Sequence, residues 1–238
     1  MDNALIIALD YASGNEVERF LQPFADKKLF VKVGMELFYQ EGPSIIYMLK
    51  EAGHRIFLDL KLHDIPNTVK SAMRGLAMLN CDLVNVHAAG GKEMMQAALE
   101  GLEAGTAAGQ HRPECIAVTQ LTSTSERQMN TEQLVPVSLQ ESVLHYASLT
   151  KDAGLDGVVC SAWEARSIRE QLGGSFYTVT PGIRMETDQV ADQKRVATPE
   201  FAKNVGVTSI VVGRAITRSR DPLKSYEKWL GIWKGVNQ

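Results

Sequence analysis

The chain has 238 residues, of which 45% are hydrophobic and 22% are charged, and its formal net charge is −3. A chain of this size can bury one large core, so we expect a single domain over residues 1–238. Without a Lys/Arg cluster it offers no electrostatic surface for nucleic acid or an acidic membrane. No stretch approaches the roughly 18 apolar residues of a membrane span, so neither nucleic acid nor membrane is an expected partner.

The amino terminus and the cysteines indicate a cytoplasmic protein. The opening apolar run covers only residues 5–9 and follows an acidic residue, unlike an export signal. Cys81, Cys115 and Cys160 are odd in number, lack metal-ligand spacing and stand beside apolar residues. We interpret them as reduced thiols packed in a core.

Eight short apolar, β-prone runs recur along the chain, and each is a candidate strand buried on both faces. They begin at Leu5, Leu29, Arg55, Leu83, Cys115, Gly157, Phe176 and Ser209. Between them, apolar residues at helical spacing predict helices with one buried face. Three such sets are Val17/Phe20/Leu21/Phe24, Val69/Ala72/Met73/Leu76 and Leu223/Tyr226/Leu230/Trp233, and Met94, Met95 and the C-terminal tryptophans are also expected in the core.

Strands that alternate with helices, without a low-complexity linker, predict one (β/α)8 TIM barrel. An open doubly wound sheet is the alternative fold. The segment "ALDYASGNEVE" after the first run has a single glycine and therefore no dinucleotide-binding fingerprint, which makes an open nucleotide-binding sheet the weaker hypothesis.

The active site of such a barrel lies at the carboxyl ends of the strands, so polar residues that close the apolar runs are the candidates. They are Asp10, Lys32, Asp59, Lys61, His87 and Thr122, followed by "TPGIR" and "VVGRAI" after the last two runs. Asp59 and Lys61 stand two apart, which on a regular strand points both side chains to one face. Two cations and at least one anion are thus predicted to converge.

Purely structural roles are open for several of these residues. Asp59 and Lys61 could form an ion pair that only fills the barrel top, although a buried pair is weak evidence of stability. Asp64 could cap the following helix, and Asp10 could cap the first one. The histidines expected to be structural hydrogen-bonding residues rather than catalysts are His63 and His87.

The end of the chain predicts a phosphate site. Gly213 ends a strand and precedes a helix, so backbone N–H groups and the Arg214 guanidinium could bind phosphate there, after strands seven and eight. Residues 184–196, "RMETDQVADQKRV", are polar and poor in periodicity. They predict a loop that closes on a ligand.

These motifs together resemble the orotidine 5'-monophosphate decarboxylase family. "DLKLHDIPNT" at residues 59–68 is similar to that family's signature, and shorter matches follow in the family's order: "ALD", "FVKVG", "NVHAAGG", "QLTS", "TPGIR", "DQKRV" and "VVGRAI". The resemblance implies a TIM barrel that converts orotidine 5'-monophosphate to uridine 5'-monophosphate and carbon dioxide in pyrimidine biosynthesis. It also implies that neither a metal nor an organic cofactor takes part.

The resemblance further implies a role for individual residues. Lys61 is the implied proton donor, and the residues that form an alternating charge array with it are Lys32, Asp59 and Asp64. Asp64, Ile65 and Thr68 would enter the site from the other subunit, which implies a homodimer with two shared sites. Asp10 and Lys32 would hold the ribose, and Thr122 the pyrimidine edge. The remaining substrate-binding residues, toward the phosphate and the loop that closes over it, are Pro181, Arg184, Gln193, Gly213 and Arg214.

The chemistry of the residues supports this reaction separately. Loss of carbon dioxide leaves a ring carbanion without an adjacent carbonyl or iminium group to accept its electrons, so electrostatic stabilisation must replace them. A lysine between carboxylates stays protonated, so Lys61 can stabilise the carbanion and then protonate it. Asp59 would repel the substrate carboxylate until neutral carbon dioxide leaves.

Three other functions remain open. A sugar-phosphate decarboxylase or aldolase on the same barrel shares the D-x-K-x-x-D spacing, but its strand-two position resembles a metal-binding glutamate, where this chain has Lys32. A Schiff-base aldolase would need an uncharged lysine, and Asp59 beside Lys61 argues against one. The third is a barrel that binds a phosphate ligand without turnover, and the charged residues at the strand ends argue against it because binding alone does not need them.

Overall fold

A computed structural model describes residues 3–185 and 197–235 of the chain. Eight parallel strands close into a barrel in sequence order, with the last strand paired to the first. The strands are β1 Ala4–Ala8, β2 Phe30–Gly34, β3 Arg55–Leu62, β4 Leu83–His87, β5 Glu114–Val118, β6 Gly157–Val159, β7 Tyr177–Thr180 and β8 Ser209–Val212. The (β/α)8 prediction is confirmed, each apolar run holds a strand, and the alternative of an open sheet was wrong.

Helices in the described residues follow the strands around the barrel. They are α1 Gly14–Leu21, α2 Met35–Glu41, α3 Ser44–Glu51, α4 Pro66–Ala77, α5 Gly91–Gly105, α6 Glu126–Glu132, α7 Leu139–Asp152, α8 Ala162–Leu172, α9 Pro199–Asn204, α10 Arg214–Thr217 and α11 Pro222–Lys234. Single 3-10 turns at Gln22–Phe24 and Ala88–Gly90 complete the set. We call the carboxyl ends of the strands the upper end of the barrel and their amino ends the lower end.

The core has two layers because successive side chains on a strand point to opposite faces. Residues such as Ile6, Phe57 and Val211 belong to a cluster inside the barrel. Their neighbours in sequence, such as Ile7 and Leu58, pack between the strands and the helices. Both faces of each strand are covered, which explains why the strands are continuous apolar runs.

The predicted helix faces are mostly buried. Val17, Phe20 and Phe24 are buried, but α1 ends at Leu21 and Phe24 belongs to the 3-10 turn that contains Pro23. Pro23 explains that end, because proline cannot donate the next helical hydrogen bond. Trp233 in α11 is 1% exposed, and Trp229, Met94 and Met95 are buried with it in the same outer core layer.

Ala72 departs from its prediction. The buried row of α4 consists of Val69, Met73 and Ala77, spaced by four residues, whereas Ala72 is exposed. On a helix with 3.6 residues per turn, that row places Ala72 on the flank next to Thr68. The single chain therefore leaves this side of α4 uncovered.

The cysteines lie in the core as predicted. Cys81, Cys115 and Cys160 are buried, and none of them forms a disulfide. Burial raises the pKa of the Cys81 and Cys115 thiols to about 12, so both are protonated at neutral pH. No helix in the described parts of the chain has the length and apolar character needed to cross a membrane.

Candidate active site

The upper ends of the first three strands bring the predicted charges together. The Nζ atom of Lys32 on β2 lies 3.1 Å from Oδ1 of Asp10 and 3.5 Å from Oδ2 of Asp59 on β3. Lys61 Nζ donates a hydrogen bond of 2.7 Å to Asp59 Oδ1. The four charges alternate in sign along adjacent strands. Asp10 is not a helix cap, because the residue at the N-cap of α1 is Ser13.

Lys61 reaches Asp59 through an irregular strand. Its φ is +54°, and the register of β3 against β4 shifts between Leu58 and Leu62. A left-handed backbone costs a residue other than glycine about 1–2 kcal/mol. The predicted contact is present, but a bulge with this strained residue produces it, whereas the prediction assumed a regular strand.

Asn85 on β4 is a site residue that the sequence analysis missed. Its side chain is buried, with the residue 1% exposed, and its Nδ2 donates to Asp59 Oδ1 at 2.7 Å. Its Oδ1 accepts the backbone N–H of Lys61 at 2.8 Å. The available signal was an amide residue in the middle of the apolar run "LVNVH".

The charges set the ionisation of this group. Burial alone would raise the pKa of Asp59, but Lys32, Lys61 and the hydrogen bonds from Lys61 and Asn85 hold that pKa below its usual value. Burial would likewise lower the pKa of Lys32, but Asp59 and Asp10 raise it. Asp59 is therefore a carboxylate, and Lys32 an ammonium ion, at neutral pH.

The two histidines lie beside the array. The rings of His63 and His87 are 5.6 Å apart between centroids. Burial lowers the pKa of His87, and the nearby His63 and Lys61 lower it further, so this imidazole is neutral at pH 7. Across the described ranges no three His, Cys, Asp or Glu residues are grouped in a way that could hold a metal ion.

Asp64, Ile65 and Thr68 lie on the surface of the chain around the start of α4. All three are exposed, Ile65 to 67%. Asp64 does not cap α4, whose N-cap is Ile65 without a side-chain hydrogen bond, and its Oδ1 accepts the adjacent Ile65 N–H at 2.7 Å. Within residues 3–185 and 197–235, no ion pair to Asp64 is formed.

A cleft of about 950 Å³ opens beside Lys32 and extends across the upper ends of β1, β7 and β8. The predicted substrate-binding residues that line it are Asp10, Lys32, Pro181, Arg184, Gly213 and Arg214. Lys32 thus joins the charge array to the cleft. Thr122 is buried after β5 and does not line this cleft. Gln193 and positions 186–196 of the predicted loop lie outside the described residues.

A TIM barrel with charged side chains and a polar cleft at the upper ends of its strands has the layout of an enzyme. Comparison with known proteins identifies which enzymes. A sequence model of the orotidine 5'-phosphate decarboxylase / HUMPS family matches residues 3–229. Orotidine 5'-phosphate decarboxylase of Geobacillus sp. (strain WCH70) is 63% identical over 235 residues, covering 99% of this chain and 98% of the relative.

Solved structures agree. Orotidine 5'-phosphate decarboxylase from Lactobacillus acidophilus superposes with a TM-score of 0.86 at 42% identity, covering 98% of this chain and 99% of that one. An uncharacterized conserved protein from Geobacillus kaustophilus gives 0.87 at 57% identity, covering 96% of this chain and 99% of the other. The chain belongs to the orotidine 5'-phosphate decarboxylase / HUMPS family, as its motifs indicated, and it is a carboxy-lyase.

Proposed function

We propose that this chain decarboxylates orotidine 5'-monophosphate to uridine 5'-monophosphate and carbon dioxide in de novo pyrimidine biosynthesis. The observation that carries the proposal is the Lys32–Asp59–Lys61 array directly beside the polar cleft. We include in the proposal a cytoplasmic location and one catalytic domain over residues 1–238. The reaction needs no metal or organic cofactor in this scheme, because the electrostatic work is done by the array.

Lys61 carries out the chemistry in this scheme. As carbon dioxide leaves, negative charge develops on the ring carbon, and a fixed ammonium group close to that carbon stabilises it. The same ammonium then donates a proton to the carbon, so one residue serves both steps. The hydrogen bond of 2.7 Å from Lys61 to Asp59 supports this role, because it holds the ammonium in one position before substrate binds.

Asp59 adds a repulsive term in the same scheme. A carboxylate about 4 Å from the substrate carboxylate raises its free energy by about 4 kcal/mol at an effective dielectric constant near 20. That repulsion disappears when neutral carbon dioxide forms. The two flanking lysines keep Asp59 ionised, so the repulsion is present at neutral pH.

The cleft binds the rest of the substrate. Asp10 and Lys32 bond the ribose hydroxyls, and Thr122 contacts the pyrimidine edge. The residues assigned to the phosphate and the loop over it are Pro181, Arg184, Gln193, Gly213 and Arg214. Binding energy from the distant phosphate holds the ring against the charges, so a substrate without phosphate is expected to lose kcat as well as affinity.

The protein acts as a homodimer in this proposal, with Asp64, Ile65 and Thr68 of each chain completing the site of the other. The exposed Asp64 carboxylate, the 67% exposed Ile65 and the uncovered flank of α4 at Ala72 support it. An apolar side chain and a carboxylate exposed together suit a surface that a second copy covers.

The alternative reactions fit the geometry less well. A sugar-phosphate reaction that depends on magnesium would need the ion beside Asp59. Lys32 Nζ lies 3.5 Å from Asp59 Oδ2 and would repel a magnesium ion there. A Schiff base needs a neutral amine, whereas both lysines of the array donate hydrogen bonds to carboxylates.

The direct test follows the ultraviolet absorbance of orotidine 5'-monophosphate after adding the purified protein with excess chelator. We expect the orotate absorbance to disappear at catalytic protein concentrations with stoichiometric release of carbon dioxide. No change with folded protein would reject the decarboxylase, and sugar phosphates with magnesium would be the next substrates.

A mixing experiment tests the shared sites. Lys61→Ala and Asp64→Ala chains are each expected to be inactive alone. After co-refolding, half of the dimers are mixed and one of their two sites is intact, so about a quarter of the wild-type activity should return. A mixture as inactive as its parents would mean that each chain uses its own Asp64.

A further inference from the structure

Asn85 makes two contacts with the charge array that no other side chain duplicates in the described residues. Its Nδ2 donates to Asp59 Oδ1 at 2.7 Å, the same oxygen that accepts from Lys61 Nζ. Its Oδ1 accepts the backbone N–H of Lys61 at 2.8 Å. One buried amide therefore fixes both members of the Asp59–Lys61 pair.

From this geometry we infer that Asn85 is a positioning residue for the decarboxylation, which holds Lys61 in its left-handed backbone conformation and orients the Asp59 carboxylate. This inference rests on the proposed function. Asn85 is not a catalytic residue, because its amide contacts the residues of the array and needs no contact with the substrate.

The backbone of Lys61 shows why such a residue is needed. The β3–β4 pairing is irregular between Leu58 and Leu62, and Lys61 has φ of +54°. In a bulge the ladder no longer supplies every backbone acceptor, so a side chain must supply it. Asn85 Oδ1 is that acceptor, and the local strain persists because the surroundings hold it.

The carboxylate of Asp59 depends on the same amide in a second way. Nδ2 of Asn85 is a neutral donor, so it satisfies a lone pair of Oδ1 without competing with the lysines as a counter-ion. It also restricts rotation of the carboxylate, which leaves Oδ2 directed at Lys32, 3.5 Å away. Without Asn85, the carboxylate can rotate and Lys61 can adopt a relaxed backbone.

Asn85→Ala removes both contacts. We expect kcat for orotidine 5'-monophosphate to fall about 10- to 100-fold, the effect of losing a buried hydrogen bond to a charged group, with little change in affinity for uridine 5'-monophosphate. Thr178→Val is the matched control. It also removes a buried side-chain acceptor for a backbone N–H, that of Thr208 at 3.1 Å, but at the lower end of the barrel. Its kcat should equal that of the wild type.

Asn85→Asp is the second variant, because it keeps the volume and the acceptor for Lys61 and so should fold. It places a carboxyl group against Asp59, and a pair of adjacent carboxylates binds a proton at higher pH than a single carboxylate does. The charged and titratable groups facing this pair are Lys61 on β3, Lys32 on β2, His87 on β4 and, beyond Lys32, Asp10 after β1.

The pH profile separates positioning from general destabilisation. We expect the acid limb of kcat/KM to move to higher pH in Asn85→Ala, which loses a donor to Asp59, and further in Asn85→Asp. Thr178→Val should keep the wild-type limb. Wild-type kcat in folded Asn85→Ala, or an unmoved limb in Asn85→Asp, would overturn the inference. An inactive wild type would instead reject the proposed decarboxylation.

Discussion

The upper and lower ends of the barrel both contain carboxylates with cationic partners, but these carboxylates accept hydrogen bonds from different kinds of donor. At the lower end, Asp156 precedes β6 and accepts the backbone N–H of Cys115 on β5 at 2.7 Å as well as two bonds from Arg112, at 2.7 and 3.1 Å. At the upper end, within the described residues, Asp59 accepts hydrogen bonds from the side chains of Lys61 and Asn85 and forms an ion pair with Lys32. The lower network joins strands to each other, whereas the upper one orients charges.

The lower arrangement recurs around the barrel. Asp82, just before β4, accepts the N–H of Ile56 on β3 at 2.8 Å, and Thr208, just before β8, accepts the N–H of Thr178 on β7 at 2.9 Å. In each case the residue before an even-numbered strand bonds the second residue of the preceding strand. These bonds provide acceptors for backbone N–H groups at the lower edge of the barrel. That role is expected at the end of a TIM barrel that contributes to stability.

The largest expected effect is the loss of activity in Lys61→Ala, at the upper end of the barrel. We expect decarboxylation to fall at least about 10⁴-fold, because the variant loses both the charge that stabilises the carbanion and the proton donor. Binding of uridine 5'-monophosphate should persist. The comparison is measured by steady-state kinetics and by product titration.

Lys50→Ala is the matched lysine at the lower end, where Nζ lies 3.1 Å from Asp82 Oδ2. It should retain wild-type kcat and lose only a fraction of the free energy of unfolding, since the pair is partly exposed. Normal turnover by Lys61→Ala would contradict its role as proton donor, whatever Lys50→Ala does.

The fold was predictable from the sequence because each strand is buried on both faces and is therefore a continuous apolar run. The order of the strands then followed from the alternation with helices. The contact of Asp59 with Lys61 was also predictable from their spacing, although the bulge was not. The left-handed φ of Lys61 depends on an acceptor from another strand, Asn85, and nothing within β3 encodes it.

Other parts of the site were less accessible to sequence reasoning. Asp64 forms no ion pair within the described part of its own chain, so its proposed role across an interface could be assigned only by resemblance. The lower network was also missed, although a polar residue precedes β4, β6 and β8 in "CDL", "LDG" and "VTS". Such a residue looks like an ordinary turn until the neighbouring strand is known.

Asp156→Ala should have the opposite effect to Lys61→Ala, with lower stability and unchanged kcat. Removing this carboxylate leaves the N–H of Cys115 without its acceptor and the guanidinium of Arg112 without its counter-ion, so we expect the free energy of unfolding to fall by about 2–3 kcal/mol. The Arg112 and Asp156 side chains are 26% and 24% exposed, which keeps the loss below that of a fully buried pair.

Urea denaturation with an unchanged m-value measures that loss, and kcat of the folded variant should equal that of the wild type. A large decrease in kcat with unchanged stability would mean that the lower end contributes to the chemistry and that the contrast between the ends is wrong.

The smallest expected effect is a pH-dependent difference in stability at the upper end. The pKa of Asp59 is lowered in the folded protein, chiefly because Lys32 and Lys61 outweigh the effect of burial. The unfolded chain therefore binds a proton at higher pH than the folded one, and the stabilisation from Asp59 is present above the ordinary aspartate pKa of about 3.9. It is lost as the pH falls through the lower, folded value.

Asp59→Asn should therefore be less stable than the wild type at pH 7, and the difference should shrink as the pH falls below about 4, where Asp59 of the unfolded wild-type chain takes up a proton before that of the folded protein. Urea midpoints of both proteins across pH 3 to 7 measure it, with Thr178→Val as a variant whose deficit should not depend on pH. If the Asp59→Asn deficit stayed constant over that range, the lysines would be tolerated without their counter-ion. Asp59 would then be held at the upper end by packing and hydrogen bonds, and the contrast in charge between the two ends would fail.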